Sequence, residues 1–389
     1  MIKKLFLCAL LALSTTAIAR TMTVDQDTLV TQSLQSLMRK DAVPGAAVLL
    51  YVQGKPYRYF FGYANKETRT PVTGNTIFEL GSISKTFMGL LLCLEVKKGH
   101  LHLEDHAVNF LDRTQTYSKS FQKITLKQLA AFTSSLPFNA PAMTFNPKSN
   151  TRNEAILARF LRTWRAPYPI GTHWAYSNLS FGLLGNVLAR QAHMRLINLV
   201  QQEILNPLHM YHTDLEPSIV IERHYAQGYA ADNAHSPISP GGLLAGAWAI
   251  RASGDDMLIY LHAALRLSST PPQIKDAMTR AQTPYFAFAG KEQGLGWTIY
   301  PLASISIYRL LHSQGTFSIG PIPAYKTGGG YFRTNALIEK TGATNGFRTY
   351  IGLIPSTQTG VVILLNRFIP IADAVNVGRK IIFSLGAPA

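Results

Sequence analysis

The chain has 389 residues, 47% of them hydrophobic, and a formal net charge of +16 at pH 7; this length suits one large or two intertwined domains. No basic cluster exceeds two in a row, as at Lys97-Lys98, and no recognition motif accompanies them, so the charge favours solubility and attraction of anionic small molecules over nucleic-acid binding. Of the two cysteines only Cys93 lies beyond the N-terminal segment, which excludes an internal disulfide in a processed chain and leaves stability to the core.

Residues 1–19 read as a secretory signal: Lys3 and Lys4 give the charged start, residues 5–13 the apolar run and Ala17-Ile18-Ala19 the small-residue cleavage site. Processing would leave Arg20 first and export the protein to a periplasm. The apolar run is far shorter than the roughly 20 residues that span a bilayer, so no membrane anchor is expected. Cys8 lies inside that run rather than at its end, which argues against a lipoprotein.

Leu29, Val30, Leu34, Leu37 and Met38 then recur at helical spacing up to Pro44-Gly45. Residues 46–52 and 56–62 read as strands of a hairpin turning at Gln53-Gly54-Lys55, with Tyr63-Ala64-Asn65 in the turn beyond it. Residues 76–80 are strand-like; 86–98, 179–192, 195–205 and 255–265 are helical in pattern. Residues 349–354 and 361–365 read as strands around Pro355-Ser356-Thr357, and 371–385 as a closing helix. Strands at both ends of a helical middle predict one sheet assembled from the two chain ends, with a helical region inserted.

Three short motifs sit on this frame: Ser82-Ile83-Ser84-Lys85, Tyr176-Ser177-Asn178 and Lys340-Thr341-Gly342. Each has a second copy, at Ser120-Phe121-Gln122-Lys123, Tyr63-Ala64-Asn65 and Lys326-Thr327-Gly328, so context must choose between them. Ser82 follows a strand-like segment and Gly81 and opens a helix, where exposed amides favour negative charge. Lys85, three residues on, shares its face and can take the serine proton if a dry site lowers its pKa. Ser120 lies in a polar stretch that reads as a solvated loop. Tyr176 and Asn178 come from a connecting segment before a helix; the phenol can relay a proton and the amide can bind a substrate amide, or Asn178 merely caps the helix. Lys340 and Thr341 can bind a carboxylate, and Gly342 lets a substrate lie close to the backbone. Lys326-Thr327-Gly328-Gly329-Gly330 reads as a flexible loop.

One further constellation is His100-Leu101-His102-Leu103-Glu104-Asp105-His106, whose alternating histidines could share zinc. A polar turn with Leu101 and Leu103 inward is the competing reading, and no second ligand cluster accompanies it. No metal or cofactor is expected.

Taken in order, the motifs and their flanks resemble the class C (AmpC-type) serine β-lactamases, a branch of the penicillin-binding serine acyltransferases. The flanks that carry the match are Phe78-Glu79-Leu80-Gly81, Gln53-Gly54-Lys55-Pro56-Tyr57, Gln293-Gly294-Leu295-Gly296-Trp297 and Ala343-Thr344-Asn345-Gly346-Phe347. The Tyr-Ser-Asn element stands where class A enzymes have Ser-Asp-Asn. The resemblance implies an α/β (α+β) fold: an antiparallel sheet flanked by helices, with its sheet part about 20–81 and 285–389 and a helix-rich part about 82–284. By the same resemblance Ser82 is acylated by the lactam carbonyl, while Lys85 and Tyr176 manage its proton and activate the deacylating water. The amides of Ser82 and Ala343 form the oxyanion hole. Lys340, Thr341 and Asn366 hold the carboxylate region, Asn139 joins Asn178 on the acylamide side chain, and Trp248 replaces the usual tyrosine wall. Ser134-Ser135, in place of two glycines, and Arg348, in place of a small residue on the last strand pair, depart from the pattern.

The expectation is thus a monomeric periplasmic enzyme that opens penicillins and cephalosporins and confers resistance to them. A D-alanyl-D-alanine peptidase shares the same nucleophile, base and anchor. An esterase of the same fold, a non-catalytic β-lactam-binding module and a zinc hydrolase built on His100 and His102 complete the range of functions compatible with the residues.

Overall fold

The computed structural model describes residues 25–143, 150–312, 319–327 and 331–386. The expected signal sequence lies outside them, as does Gly328 of the second Lys-Thr-Gly copy.

Ten strands form one antiparallel sheet. In chain order they are β1 (Gly45–Val52), β2 (Lys55–Asn65), β3 (Thr70–Pro71), β4 (Phe286–Phe288), β5 (Lys291–Gln293), β6 (Thr298–Pro301), β7 (Tyr325–Lys326), β8 (Ala336–Ala343), β9 (Arg348–Ile354) and β10 (Thr359–Leu365). Across the sheet they run β7-β4-β5-β6-β8-β9-β10-β1-β2-β3. The N-terminal hairpin therefore docks on the C-terminal strands through the β1–β10 pairing, Ala46 opposite Leu365 to Tyr51 opposite Gly360. This is the sheet expected from both chain ends. Strands β3 to β8 and the helices Asn150–Thr163 and Pro272–Ala281 were not anticipated.

The central strands read as continuous apolar runs because helices cover both faces. Alternate residues divide between two cores. Ala47, Leu49, Val362 and Leu364 face one, with Phe87, Leu91 and Leu261. Ala46, Val48, Leu50, Val361 and Ile363 face the other, with Val30, Leu34 and Ile382. Each such large aliphatic side chain contributes about 1.5–3 kcal/mol of burial. The first core holds α2 (Ser84–Lys97) and α4 (Gly254–Ala264) against the sheet. The second holds α1 (Gln26–Lys40) and α5 (Ile371–Gly386) on the opposite face.

Local chemistry sets the boundaries. Gln53 and Gly54, at φ 50° and 76°, make the two-residue turn whose twist matches a hairpin, and Val52 pairs with Lys55. Tyr63-Ala64-Asn65 is not a turn: β2 runs through Asn65 and pairs irregularly with β3. Asn65 then accepts from the Thr68 amide to start the turn. The helix expected at 195–205 is α-helical at Leu196–Val200 and widens to π-type turns at Gln201–Leu205.

α2 is buried at every position from Ser84 to Glu95. A helix apolar all round belongs at the centre of a molecule, so its first turn is rigidly held. α3 (Asn178–Gln191) packs beside it; its N-cap is Ser177, whose hydroxyl accepts from the Ser180 amide at 3.0 Å. Capping is therefore not the task of Asn178.

Candidate active site

Ser82 lies in the single 3-10 turn Gly81–Ile83 that leads into α2. Two glycines let this turn lie against the end of β8. Gly81 has φ +53°, and a Cβ there would stand 2.5 Å from the Ala343 nitrogen; one at Gly342 would stand 2.0 Å from the Leu80 carbonyl oxygen. The Thr349 hydroxyl donates to the same Leu80 oxygen at 2.8 Å. The Ala343 amide is thereby brought beside the Ser82 turn, as an oxyanion hole requires. Gly342→Ala is expected to lower stability by about 3 kcal/mol or more, since the added Cβ would clash with the Leu80 backbone and with the Thr349 hydroxyl, itself tied to that backbone. A thermal melt within a degree of the parent would refute the close approach.

Lys85 is fully buried, and its Nζ has three neighbours: Ser82 Oγ at 2.9 Å, Asn178 Oδ1 at 2.9 Å and the Ala247 carbonyl oxygen at 2.7 Å. Burial drives its pKa well below that of an ordinary lysine, and repulsion from Lys340 adds to this. A neutral amine donates its two protons to the two carbonyl-type acceptors. Its lone pair is then left for the Ser82 hydroxyl proton.

Tyr176 is wedged among Phe132, at a ring distance of 4.6 Å, and Phe138, at 6.0 Å; its amide donates to the Ile319 carbonyl. Burial raises the phenol pKa, and a hydrogen bond with Ser82 offsets this in part. The group is therefore a protonated phenol at neutral pH rather than a phenolate held by a neighbouring lysine. The Nζ atoms of Lys85 and Lys340 lie 5.0 and 5.2 Å from its ring centre. Lysine as base and tyrosine as proton carrier is the division these environments favour.

Lys340 is buried on β8, donates to the Thr341 carbonyl oxygen at 2.7 Å, and has its pKa pushed down to about 7 by burial, partly opposed by Glu339. Its positive charge is lost as pH rises through about 7. For an anionic substrate, kcat/KM should therefore fall on the alkaline side with an apparent pKa near 7. Lys340→Arg, charged throughout, should move that limb up by at least two pH units. A limb that stays in place would dissociate Lys340 from anion binding.

Ser82 and Tyr176 open on a cleft of about 570 Å³ lined also by Asn139, Asn178, Trp248 and the segment from Thr341 to Asn345, while Lys340 lines an adjoining cavity that shares Tyr176 and Thr341 with it. Asn178 donates to Asn139 Oδ1 at 3.3 Å. The Trp248 indole donates to the Pro240 carbonyl at 2.8 Å, fixing one wall. Behind that wall Glu79 accepts from the amide and hydroxyl of Ser239 and from Tyr225, and buried Arg251 donates to Leu215 and Ala249 carbonyls. Ser239, Pro240 and Tyr225 carry no motif, and sequence reasoning missed them, as it did Phe368, Ile369 and Pro370 on the opposite lip.

Asn366 is not with the others. It is fully buried; its Oδ1 accepts from the Gly45 amide and its Nδ2 donates to the carbonyls of Tyr63, Ala64 and Gln227. With its hydrogen bonds spent on backbone, it ties β10 to the N-terminal hairpin and binds no substrate. Arg348 lies buried against backbone carbonyls at the cleft's edge. Ser134 and Ser135 are buried, Ser134 sharing a hydrogen bond with Ser180 and Ser135 donating to the Tyr168 carbonyl. Ser120 and exposed Lys123 sit at a surface 3-10 turn. His100 pairs with Glu95, and the His102 amide donates to Asp105; among the described residues no cluster of three metal-ligating side chains occurs.

The β-lactamase family model matches residues 30–384. A β-lactamase of Escherichia coli (strain K12) is 30% identical over 388 residues, covering 98% of this chain and 99% of that protein. Among solved structures, D-alanine carboxypeptidase AmpC from Burkholderia cenocepacia aligns with a TM-score of 0.82 at 31% identity, over 93% of this chain and 99% of that one. A class C β-lactamase in complex with cefoxitin aligns at 0.84 and 29%, over 92% and 99%. The chain belongs to the β-lactamase family, and its fold is that of the class C serine branch.

Proposed function

We propose that the protein is a periplasmic enzyme that hydrolyses the lactam amide of cephalosporins and penicillins through an acyl-Ser82 intermediate, and so confers resistance to them. The observation that carries this reading is the contact of a buried, pKa-lowered Lys85 with Ser82 Oγ at 2.9 Å, inside a cleft with an amide-binding side and a cationic side. Lys85 takes the proton as Ser82 Oγ attacks the lactam carbonyl, and the oxyanion develops toward the amides of Ser82 and Ala343. The Tyr176 phenol delivers a proton to the departing ring nitrogen and takes back the one Lys85 holds, which leaves both groups as they began. Asn178 and Asn139 hold the acylamide side chain, Trp248 flanks it, and Lys340 and Thr341 face the substrate's acidic end. Water then releases the acyl group. The signal-like residues 1–19 support export.

A D-alanine carboxypeptidase is the second reading, favoured by the activity for which the Burkholderia protein is named. It differs in the acyl group that Ser82 accepts and in how fast water removes it. Purified protein assayed in parallel on a chromogenic cephalosporin and on an acyl-D-alanyl-D-alanine peptide separates the two. The proposal expects kcat/KM for the lactam to exceed that for the peptide by at least about a hundredfold, near 3 kcal/mol of transition-state preference. The reverse order would make the protein a carboxypeptidase.

A further inference from the structure

The cleft contains a permanent cation that the catalytic groups do not use. Arg348 opens β9 directly opposite Ala343 of β8, so the two side chains leave the same face of the sheet as neighbours. Its side chain is only 4% exposed, yet it lines the cleft. Nε donates to the Ile369 carbonyl at 2.7 Å, and Nη1 donates to those of Thr344 and Phe347, each at 2.8 Å. Phe368 covers one guanidinium face, its ring centre 3.5 Å from Cζ. Nη2 meets no acceptor among the described residues.

No carboxylate neutralises this group. Among the described residues Arg348 forms no ion pair, while Glu339 on β8 pairs with Arg379 and Asp373 in the first turn of α5 pairs with Lys40. Burial lowers the guanidinium pKa to about 10, which leaves it charged at neutral pH, where Lys340 is partly discharged. A desolvated cation held by neutral carbonyls is costly unless an anion completes its shell. A planar fork with one open nitrogen suits a carboxylate oxygen.

We propose that Arg348 is the specificity-determining anion anchor at the α5 lip of the cleft, holding an acidic group of the substrate that projects past Ala343 toward Ile369, Pro370 and Ile371. The proposal rests on the acyl-serine reading above and takes the carboxylate role once expected of Asn366. Phe368 and the Ile369 carbonyl hold the guanidinium in place, so the anchor is preorganised before substrate arrives.

The test compares a cephalosporin carrying its free ring carboxylate with the methyl ester of the same compound, with Ser82 acylation followed by protein mass. The parent protein should acylate about ten- to a hundredfold faster, in second-order terms, with the acid, the range for one charge-assisted hydrogen-bonded pair. Arg348→Gln should cut that ratio by at least about threefold by slowing the acid and sparing the ester, with Lys340 keeping its own share, and Arg348→Lys should restore part of it. Thermal melts identify any variant that has not folded; if Arg348→Gln is one, the parent ratio and the lysine variant decide. Equal rates for acid and ester in the parent, or a parent-like ratio in a folded Arg348→Gln protein, would overturn the anchor while leaving the acyl-serine reading intact. No adduct from either compound would overturn both.

Discussion

Ser82→Ala should lower kcat for a β-lactam by about 10⁴- to 10⁶-fold, the loss seen when the nucleophile of an acyl-transfer enzyme is removed. Neither neighbouring hydroxyl on α2 is placed to replace it. Ser84, two residues on, is fully buried and accepts from the Ile250 amide at 3.0 Å. Thr86 donates to the Ile83 carbonyl and accepts from Tyr260. The variant should fold normally, because the main-chain path through Gly81 and the register of β8 do not involve the hydroxyl. Substrate should still bind, with an affinity near the parent's, since the amide and carboxylate contacts remain. Turnover that persists in Ser82→Ala and disappears with a chelator would instead point to metal chemistry.

Tyr176→Phe should lower kcat by about 10²- to 10⁴-fold with little change in substrate affinity, the span for loss of one positioned proton-transfer group. Phenylalanine preserves the ring packing on Phe132 and Phe138 and removes only the hydroxyl. That hydroxyl stays protonated because its site is dry, so it can serve as a proton source beside Ser82. Binding depends on other residues: Asn139, Asn178, Thr341 and the cationic lip. A variant with parental kcat would assign proton delivery to Lys85 alone. A variant with parental kcat but a much raised KM would make the phenol a binding group.

The frame of the fold was legible because its signals are local and redundant. The hairpin at Gln53-Gly54, the paired strands β9 and β10 and the closing helix each carry apolar runs bounded by turn residues. Strands β4 and β5 are three residues each, too short for period-two alternation to register, and they are specified by pairing with β6 and β7. The extension of β2 through Asn65 likewise depends on β3, a tertiary partner that a turn-like sequence does not announce.

In the site, the residues on short motifs converge because sequence spacing alone makes them neighbours or because a rigid element delivers them. Ser82 and Lys85 share one helical turn, and Lys340 to Ala343 share one strand. Asn366 failed for a physical reason: a polar residue after a buried strand serves equally well as a backbone clamp, and only its partners, Gly45, Tyr63, Ala64 and Gln227, distinguish the two roles. Arg348 was visible as an anomaly, but its burial needs the loop 366–370 to fold back over β9 and bring up the Ile369 carbonyl and the Phe368 ring. The lowered pKa of Lys85 was anticipated only in kind and that of Lys340 not at all, since their cause is burial by segments distant in sequence.

The central claim, hydrolysis through acyl-Ser82, is tested most directly by mixing purified protein with a chromogenic cephalosporin and following product and protein mass together. The account predicts many product molecules per protein, with a transient adduct that maps to the peptide containing Ser82 and is absent from Ser82→Ala. A single equivalent of product with an adduct that persists, or sustained turnover with no adduct on Ser82, would contradict it.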